Sequence, residues 1–150
     1  MKTSLSPLVA RDLMSQKIHS IAPGESIKAA ACIMRDKNIG LLPVVENESL
    51  YGVVTDRDIA IRGAAEGLDF ALTPVAKVMT VGAVSCDENT PLKGIARLMR
   101  DKGLRRIIVT DPLSQPIGVI SLDDLAEFAT AVAGGTLRSV HEKSQITPPI

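Results

Sequence analysis

Between Ile27 and Met34 the apolar residues Ile27, Ala30, Ala31 and Met34 fall at i, i+3, i+4 and i+7, which predicts a helix with one buried stripe. The same spacing returns at Leu92, Ile95, Ala96 and Met99. Each helix is expected to stop at a residue that tolerates the left-handed conformation, Asn38 in one case and Gly103 in the other. Thr90 followed by Pro91 predicts an N-cap with proline at the first helical position. Short extended pieces, "KIHSI" and "GAVSC", precede the helices. Two strands follow each helix, "LLPVV" with "YGVV" and "RIIVT" with "PIGVI", each pair joined by a polar turn. A second helix then runs to about Gly67 or Gly134. Each half therefore reads β-α-β-β-α, and its sheet has only one helix-covered face of its own. The remaining apolar surface requires the other half.

The chain is written twice. Residues 14–45 align without a gap on 79–110 at an offset of 65, and nine of the 32 positions are identical. A one-residue insertion near "DPLSQP" moves the offset to 66, and Gly52–Ala60 then matches Gly118–Ala126. Every methionine except Met1 has a counterpart in the other copy. A period of this length is too long for the common solenoid repeats and fits two supersecondary units packed together. The halves are expected at 8–68 and 74–134, with 137–150 as a polar, aperiodic tail ending in two prolines.

Composition narrows the function classes. At 150 residues with 45% hydrophobic residues, the chain suits one compact domain or two small halves with a well-buried core. Formal net charge is zero and aromatics are 2%, so neither a general pull toward polyanions nor a stacking platform is expected, and no nucleic-acid partner. No apolar run approaches the roughly 20 residues of a membrane helix, and "MKTSLSPLVARDLM" lacks a signal peptide's apolar segment. Cys32 and Cys86, in no CxxC spacing, read as free thiols. A cytoplasmic protein without a membrane partner is the expectation.

The two copies share a further pattern. "GVVTDRDIAIR" ends an apolar run in Thr55 and places Asp58 three residues later; "GVISLDDLAEF" does the same with Ser121 and Asp124. A hydroxyl and an acid at this spacing form a capping box, in which the hydroxyl accepts from the N3 amide and the N3 carboxylate reaches back. The same geometry also suits a ligand. A helix start after a strand presents unpaired N–H groups and a positive dipole end, a hydroxyl there reaches a phosphate, and the acid accepts from both hydroxyls of a ribose. The two readings are compatible; the motif taken alone favours capping, and ligand binding needs support from outside it.

Taken in order, "LMSQKIHSIAPGESIKAAACIMRDKNIGLLPVVENESLYGVVTDRDI" and "VMTVGAVSCDENTPLKGIARLMRDKGLRRIIVTDPLSQPIGVISLDDL" resemble a tandem pair of cystathionine-β-synthase (CBS) domains, a Bateman module. The resemblance spans about residues 8–134 and is closest to stand-alone bacterial CBS-pair proteins. It implies an α/β (α+β) fold of two pseudo-twofold-related repeats, packed sheet against sheet, with two clefts for adenosyl ligands. Carried over residue by residue, one cleft has Asp124 on the ribose, Ser121 near the phosphate, and Arg105 and Arg106 reaching toward it. Met14, His19, Ile39 and Gly40 wall its adenine, with Val119 beneath. The other has Asp58 on the ribose, Thr55 at the phosphate and Val53 beneath, with Met79, Val84, Leu104 and Arg105 from the second repeat. The clefts are unequal, because "LRRII" in the second repeat stands where the first has "IGLLP", without a cation. Asp56 beside Thr55 would repel phosphate where Leu122 would not. Tighter phosphate binding is expected at Asp124.

There is no HExxH, no Cys/His cluster at metal spacing, no Gly-x-Ser-x-Gly elbow and no Walker A sequence, so neither an enzyme nor a bound metal is expected. Three functions remain open. The leading one is a regulatory module that senses AMP, ADP or ATP, requires no cofactor, and signals to an unidentified target protein. The others are a ligand-free structural dimerisation module and a binder of NAD or S-adenosylmethionine. The resemblance also implies a homodimer, head-to-head or head-to-tail.

Overall fold

The computed structural model describes residues 7–134, so the expected tail at 137–150 lies outside the described residues. The chain divides into two compact units. One, here the first-repeat unit, comprises residues 18–84 and 113–116; the other, the second-repeat unit, comprises 7–17, 85–112 and 117–134. Each contains helices and one three-stranded sheet, a mixed α+β architecture.

In the first-repeat unit, helix α2 (Ile27–Lys37) is capped by Ser26, whose hydroxyl accepts from the Ala29 amide at 3.0 Å. Its apolar stripe is placed as the spacing requires: Ile27, Ala30 and Met34 are buried, with Ala31 half-buried at its edge. Asn38 ends the helix in the left-handed conformation (φ 52°). The amide of Ile39 bonds back to the Met34 carbonyl at 3.0 Å and that of Asn38 to Arg35 at 3.3 Å, the paired bonds of a Schellman stop. Strands β1 (Leu41–Glu46) and β2 (Ser49–Thr55) form an antiparallel pair, and β3 (Thr80–Val81) adds to β2. The piece "KIHSI" makes no strand of its own; Ile21 alone bridges to Val44. Leu42, Val44, Val54, Ile59, Val75, Val78 and Met79 close the core with the α2 stripe.

After β2 the chain does not form one regular helix. A single turn, α3 (Asp56–Asp58), passes into a π-helical segment, Ile59–Ala64, closed by the Ala65 amide on the Ala60 carbonyl at 3.0 Å. Gly63 lies against Phe70 here: a Cβ on it would stand 3.0 Å from the ring, so the wide turn and the missing side chain share one crowded place.

The second-repeat unit repeats the plan with differences. Helix α1 (Ala10–Leu13) precedes β4 (Ser85–Asp87), α4 (Leu92–Lys102), β5 (Arg106–Thr110), β6 (Pro116–Ser121) and α5 (Leu122–Ala133). Strand order is β4-β5-β6, with β4 and β5 parallel. Leu92, Ile95 and Met99 of α4 are buried, whereas Ala96 is exposed. The expected Thr90 cap is one residue out: Pro91 is the N-cap (φ −59°, ψ 140°), and no side chain caps the helix. Pro91 bridges to Val9 in extended backbone, which displaces it from the first helical turn. Gly103 (φ 64°) stops α4 as Asn38 stops α2, with Leu104 bonded to Met99 at 2.8 Å.

Candidate functional site

Both hydroxyl-x-x-acid motifs fold into capping boxes. In the second-repeat unit Ser121 is extended (φ −98°, ψ 161°) and ends β6. The Asp124 amide donates to Ser121 Oγ at 3.1 Å, and the Ser121 amide donates to Asp124 Oδ2 at 2.7 Å. An aspartate thus spans a box usually closed by the longer glutamate. The second oxygen of Asp124 has no hydrogen bond or ion pair among the described residues. The Leu122 amide donates to the Arg105 carbonyl at 2.8 Å, which fixes Arg105 beside the first turn of α5. Arg105 and Arg106 are exposed, and neither has an acidic partner among the described residues.

The remaining parts of this corner come from the start of the chain. Ser15 and Val119 exchange backbone hydrogen bonds at 3.0 and 3.1 Å. Met14, buried, lies on Gly118 so closely that a Cβ there would stand 2.6 Å from its sulfur. Met14, Arg105, Arg106, Val119, Ser121 and Asp124 therefore belong to one unit. His19, Ile39 and Gly40 lie in the first-repeat unit, where all three are half-buried and Ile39 packs on the core.

The first-repeat corner is built alike. Thr55 is extended (φ −117°, ψ 162°), and its hydroxyl accepts from the Asp58 amide at 3.1 Å. Asp58 Oδ2 accepts from both the Thr55 amide and the Thr55 hydroxyl, each at 2.9 Å. Met79 is buried, and Thr80 pairs with Val53 as Ser15 pairs with Val119. A Cβ on Gly52 would meet the Thr80 carbonyl at 2.4 Å, so β3 approaches β2 only because glycine stands there. Val53, Thr55, Asp58, Met79 and the half-buried Val84 share this unit; Leu104 and Arg105 belong to the other.

Three local differences separate the corners. Gly40 takes the place of Arg105, with the Asp56 amide on its carbonyl at 3.0 Å. The Asp56 carboxylate leans over that glycine, 2.7 Å from where a Cβ would be. The third difference was missed in the sequence. Arg62 turns toward Asp58, with Nε 3.7 Å from Oδ1, and donates from one terminal nitrogen toward the carbonyls of Val78 (3.3 Å) and Met79 (3.2 Å) and the Thr80 hydroxyl (3.3 Å). The i,i+4 spacing of Asp58 and Arg62 was a legible signal; the π-helical segment that carries Arg62 was not.

Elsewhere the chemistry is sparse. Burial, then the neighbouring Asp87, pushes the Cys86 thiol up to about 11. Among the described residues no three metal-ligating side chains gather, and no helix is long and apolar enough to cross a membrane.

The family model described as "CBS domain" matches the chain twice, at residues 10–63 and 75–130. The CBS domain-containing protein YhcV of Bacillus subtilis is 35% identical over 136 residues, covering 89% of this chain and 96% of that protein. Hypoxic response protein 1 of Mycobacterium tuberculosis is 30% identical over 118 residues, covering 78% and 82%. Among solved structures, that of CBSX2 in complex with AMP superposes with a TM-score of 0.72 at 25% identity, covering 83% of this chain and 98% of that one.

Proposed function

The chain belongs to the CBS-domain family, with two copies in tandem, and from that premise we propose that it is a non-catalytic regulatory module that binds an adenine nucleotide and passes its occupancy to a partner protein. The observation that carries this reading is the Ser121–Asp124 corner. Its capping box uses one carboxylate oxygen and leaves the other open, so capping the helix and accepting from a ribose diol do not compete. Arg105, held at the same corner by the Leu122 hydrogen bond, is a planar cation suited to a phosphate. The AMP complex of CBSX2 supports the adenosyl class of ligand.

In this reading Asp124 takes the ribose hydroxyls, Ser121 and Arg105 the phosphate with Arg106 beside them, and Val119 and Met14 contribute apolar surface. His19, Ile39 and Gly40 complete the adenine wall. The Thr55–Asp58 corner, with Val53, Met79, Val84 and Leu104, is the second candidate. Regulation follows from linkage: a nucleotide that fits one arrangement of the protein better than another shifts the population toward it. The module acts in the cytoplasm as a homodimer and needs no cofactor.

A thermal-shift screen with AMP, ADP, ATP, NAD and S-adenosylmethionine tests the reading. A ligand present at 100 times its Kd adds about 2.7 kcal/mol to stability. No shift with any of them would leave a ligand-free association module.

A further inference from the structure

Asp58 and Asp124 occupy equivalent places in the two repeats, yet their carboxylates are engaged differently. Asp124 receives one hydrogen bond, from the Ser121 amide, and no cation approaches it among the described residues. Asp58 receives two on the same oxygen, from the Thr55 amide and hydroxyl, and its other oxygen faces the guanidinium of Arg62. The Asp58 side chain retains only 15% of its exposure. At the 66-residue offset that aligns these motifs, the counterpart of Arg62 is Phe128, which has no charge to offer.

Arg62 is not a loosely held surface cation. One terminal nitrogen is directed at three acceptors on the segment Val78–Thr80, which supplies Met79 and leads into the edge strand β3. The other terminal nitrogen has no partner among the described residues, and the side chain as a whole is 51% exposed. The contacts of the first nitrogen hold the guanidinium in place while its Nε faces Asp58 Oδ1 at 3.7 Å.

We propose that Arg62 is a specificity-determining residue: a cation of the chain's own that faces the Asp58 carboxylate from 3.7 Å and is itself held on the 78–80 segment, so that the chain takes one adenine nucleotide, at Asp124. This inference rests on the nucleotide reading above and adds what that reading leaves open, namely which of two similar corners is occupied and why. A ribose diol must donate both hydroxyls to a carboxylate, and Asp124 offers an unengaged oxygen where Asp58 offers one already facing a guanidinium. The first repeat thereby keeps the family's motif as a structural clasp.

Titration calorimetry of the full chain with AMP tests it. The wild type is expected to bind one equivalent. Arg62→Met, which keeps an unbranched apolar stem but removes charge and donors, is expected to bind a second equivalent. Arg62→Lys, which restores the charge, is expected to return to one. In an Asp124→Asn background, which loses the first equivalent, adding Arg62→Met is expected to recover one at the other corner. Two equivalents in the wild type, or one in Arg62→Met, would overturn the proposal. If neither protein binds AMP or ATP, the nucleotide reading fails by itself, and hydrogen exchange decides the fate of the clasp. Amides of residues 78–82 should then exchange at least 10-fold faster in Arg62→Met than in the wild type, and unchanged protection would overturn it.

Discussion

The backbone amide of Leu122 donates to the carbonyl of Arg105 at 2.8 Å. That one bond joins the residue before β5 to the first residue of α5, and so holds the backbone of a cationic residue, Arg105, at the Ser121–Asp124 corner. The first repeat makes the same bond between Asp56 and Gly40, at 3.0 Å, and thereby sets a carboxylate over a glycine instead. One backbone relation, used twice, carries opposite charge.

Arg105→Ala is expected to weaken ADP and ATP by about 10-fold or more while leaving adenosine within about 3-fold, because a charge-assisted bond to phosphate is the contact removed. Calorimetry with the three ligands checks this. An equal loss for adenosine would place Arg105 on the base or sugar.

Asp124→Ala is expected to weaken AMP by roughly 10–100-fold, the equivalent of about 1.5–3 kcal/mol for a hydrogen bond to a charged group. The same change removes the N3 half of a capping box and should cost about 1 kcal/mol in the free protein. Measuring urea unfolding without ligand separates the two effects; unchanged AMP affinity would remove Asp124 from the site.

Two glycine substitutions should differ sharply. Gly52→Ala drives a methyl group into the Thr80 carbonyl, and the backbone of β3 cannot yield without losing its pairing with β2; a loss of about 2–3 kcal/mol is expected. Gly40→Ala meets only the Asp56 carboxylate, an exposed side chain whose local bond from the Arg57 amide water can replace, and should cost under about 1 kcal/mol. Urea midpoints at matched slope rank them, and similar values would refute the close β2–β3 approach.

Cys86 provides a pH signature. Its buried thiol, raised from 9.0 to about 11, holds its proton more tightly folded than unfolded. Folding gains from this below pH 9.0, and the gain is lost as pH rises toward 11. Iodoacetamide should modify Cys86 roughly 100-fold more slowly in the folded protein than in urea at pH 8, from thiolate population alone. Peptide mass spectrometry reads this separately from Cys32, and equal rates would mean the thiol is open to solvent.

Much of the architecture was legible in the amino-acid order because it rests on local physics repeated twice. The 3.6-residue stripes of α2 and α4, the left-handed stops at Asn38 and Gly103, the strand pairs and the capping boxes at Thr55 and Ser121 each depend on residues within one turn or one hairpin. A 65-residue period then made each copy a check on the other. The Thr90 cap failed because Pro91 is held in extended backbone by Val9, over 80 positions away in the chain. Whether Ala31 and Ala96 share one environment was likewise beyond the stripe, since a helix pattern marks its face but not the width of what covers it.

What the tertiary structure alone decided is which polar groups are already taken. Asp58 and Asp124 are indistinguishable as letters, each three residues after a hydroxyl. Their difference comes from a π-helical segment that turns Arg62 onto Asp58 and onto the carbonyls of Val78 and Met79, and from Phe128 in the matching place. The amino-acid order determined where the carboxylates stand, because short-range hydrogen bonds put them there. Only folding determined which one is open, because a cation reaches its partner through contacts with a segment 16 to 18 residues further along.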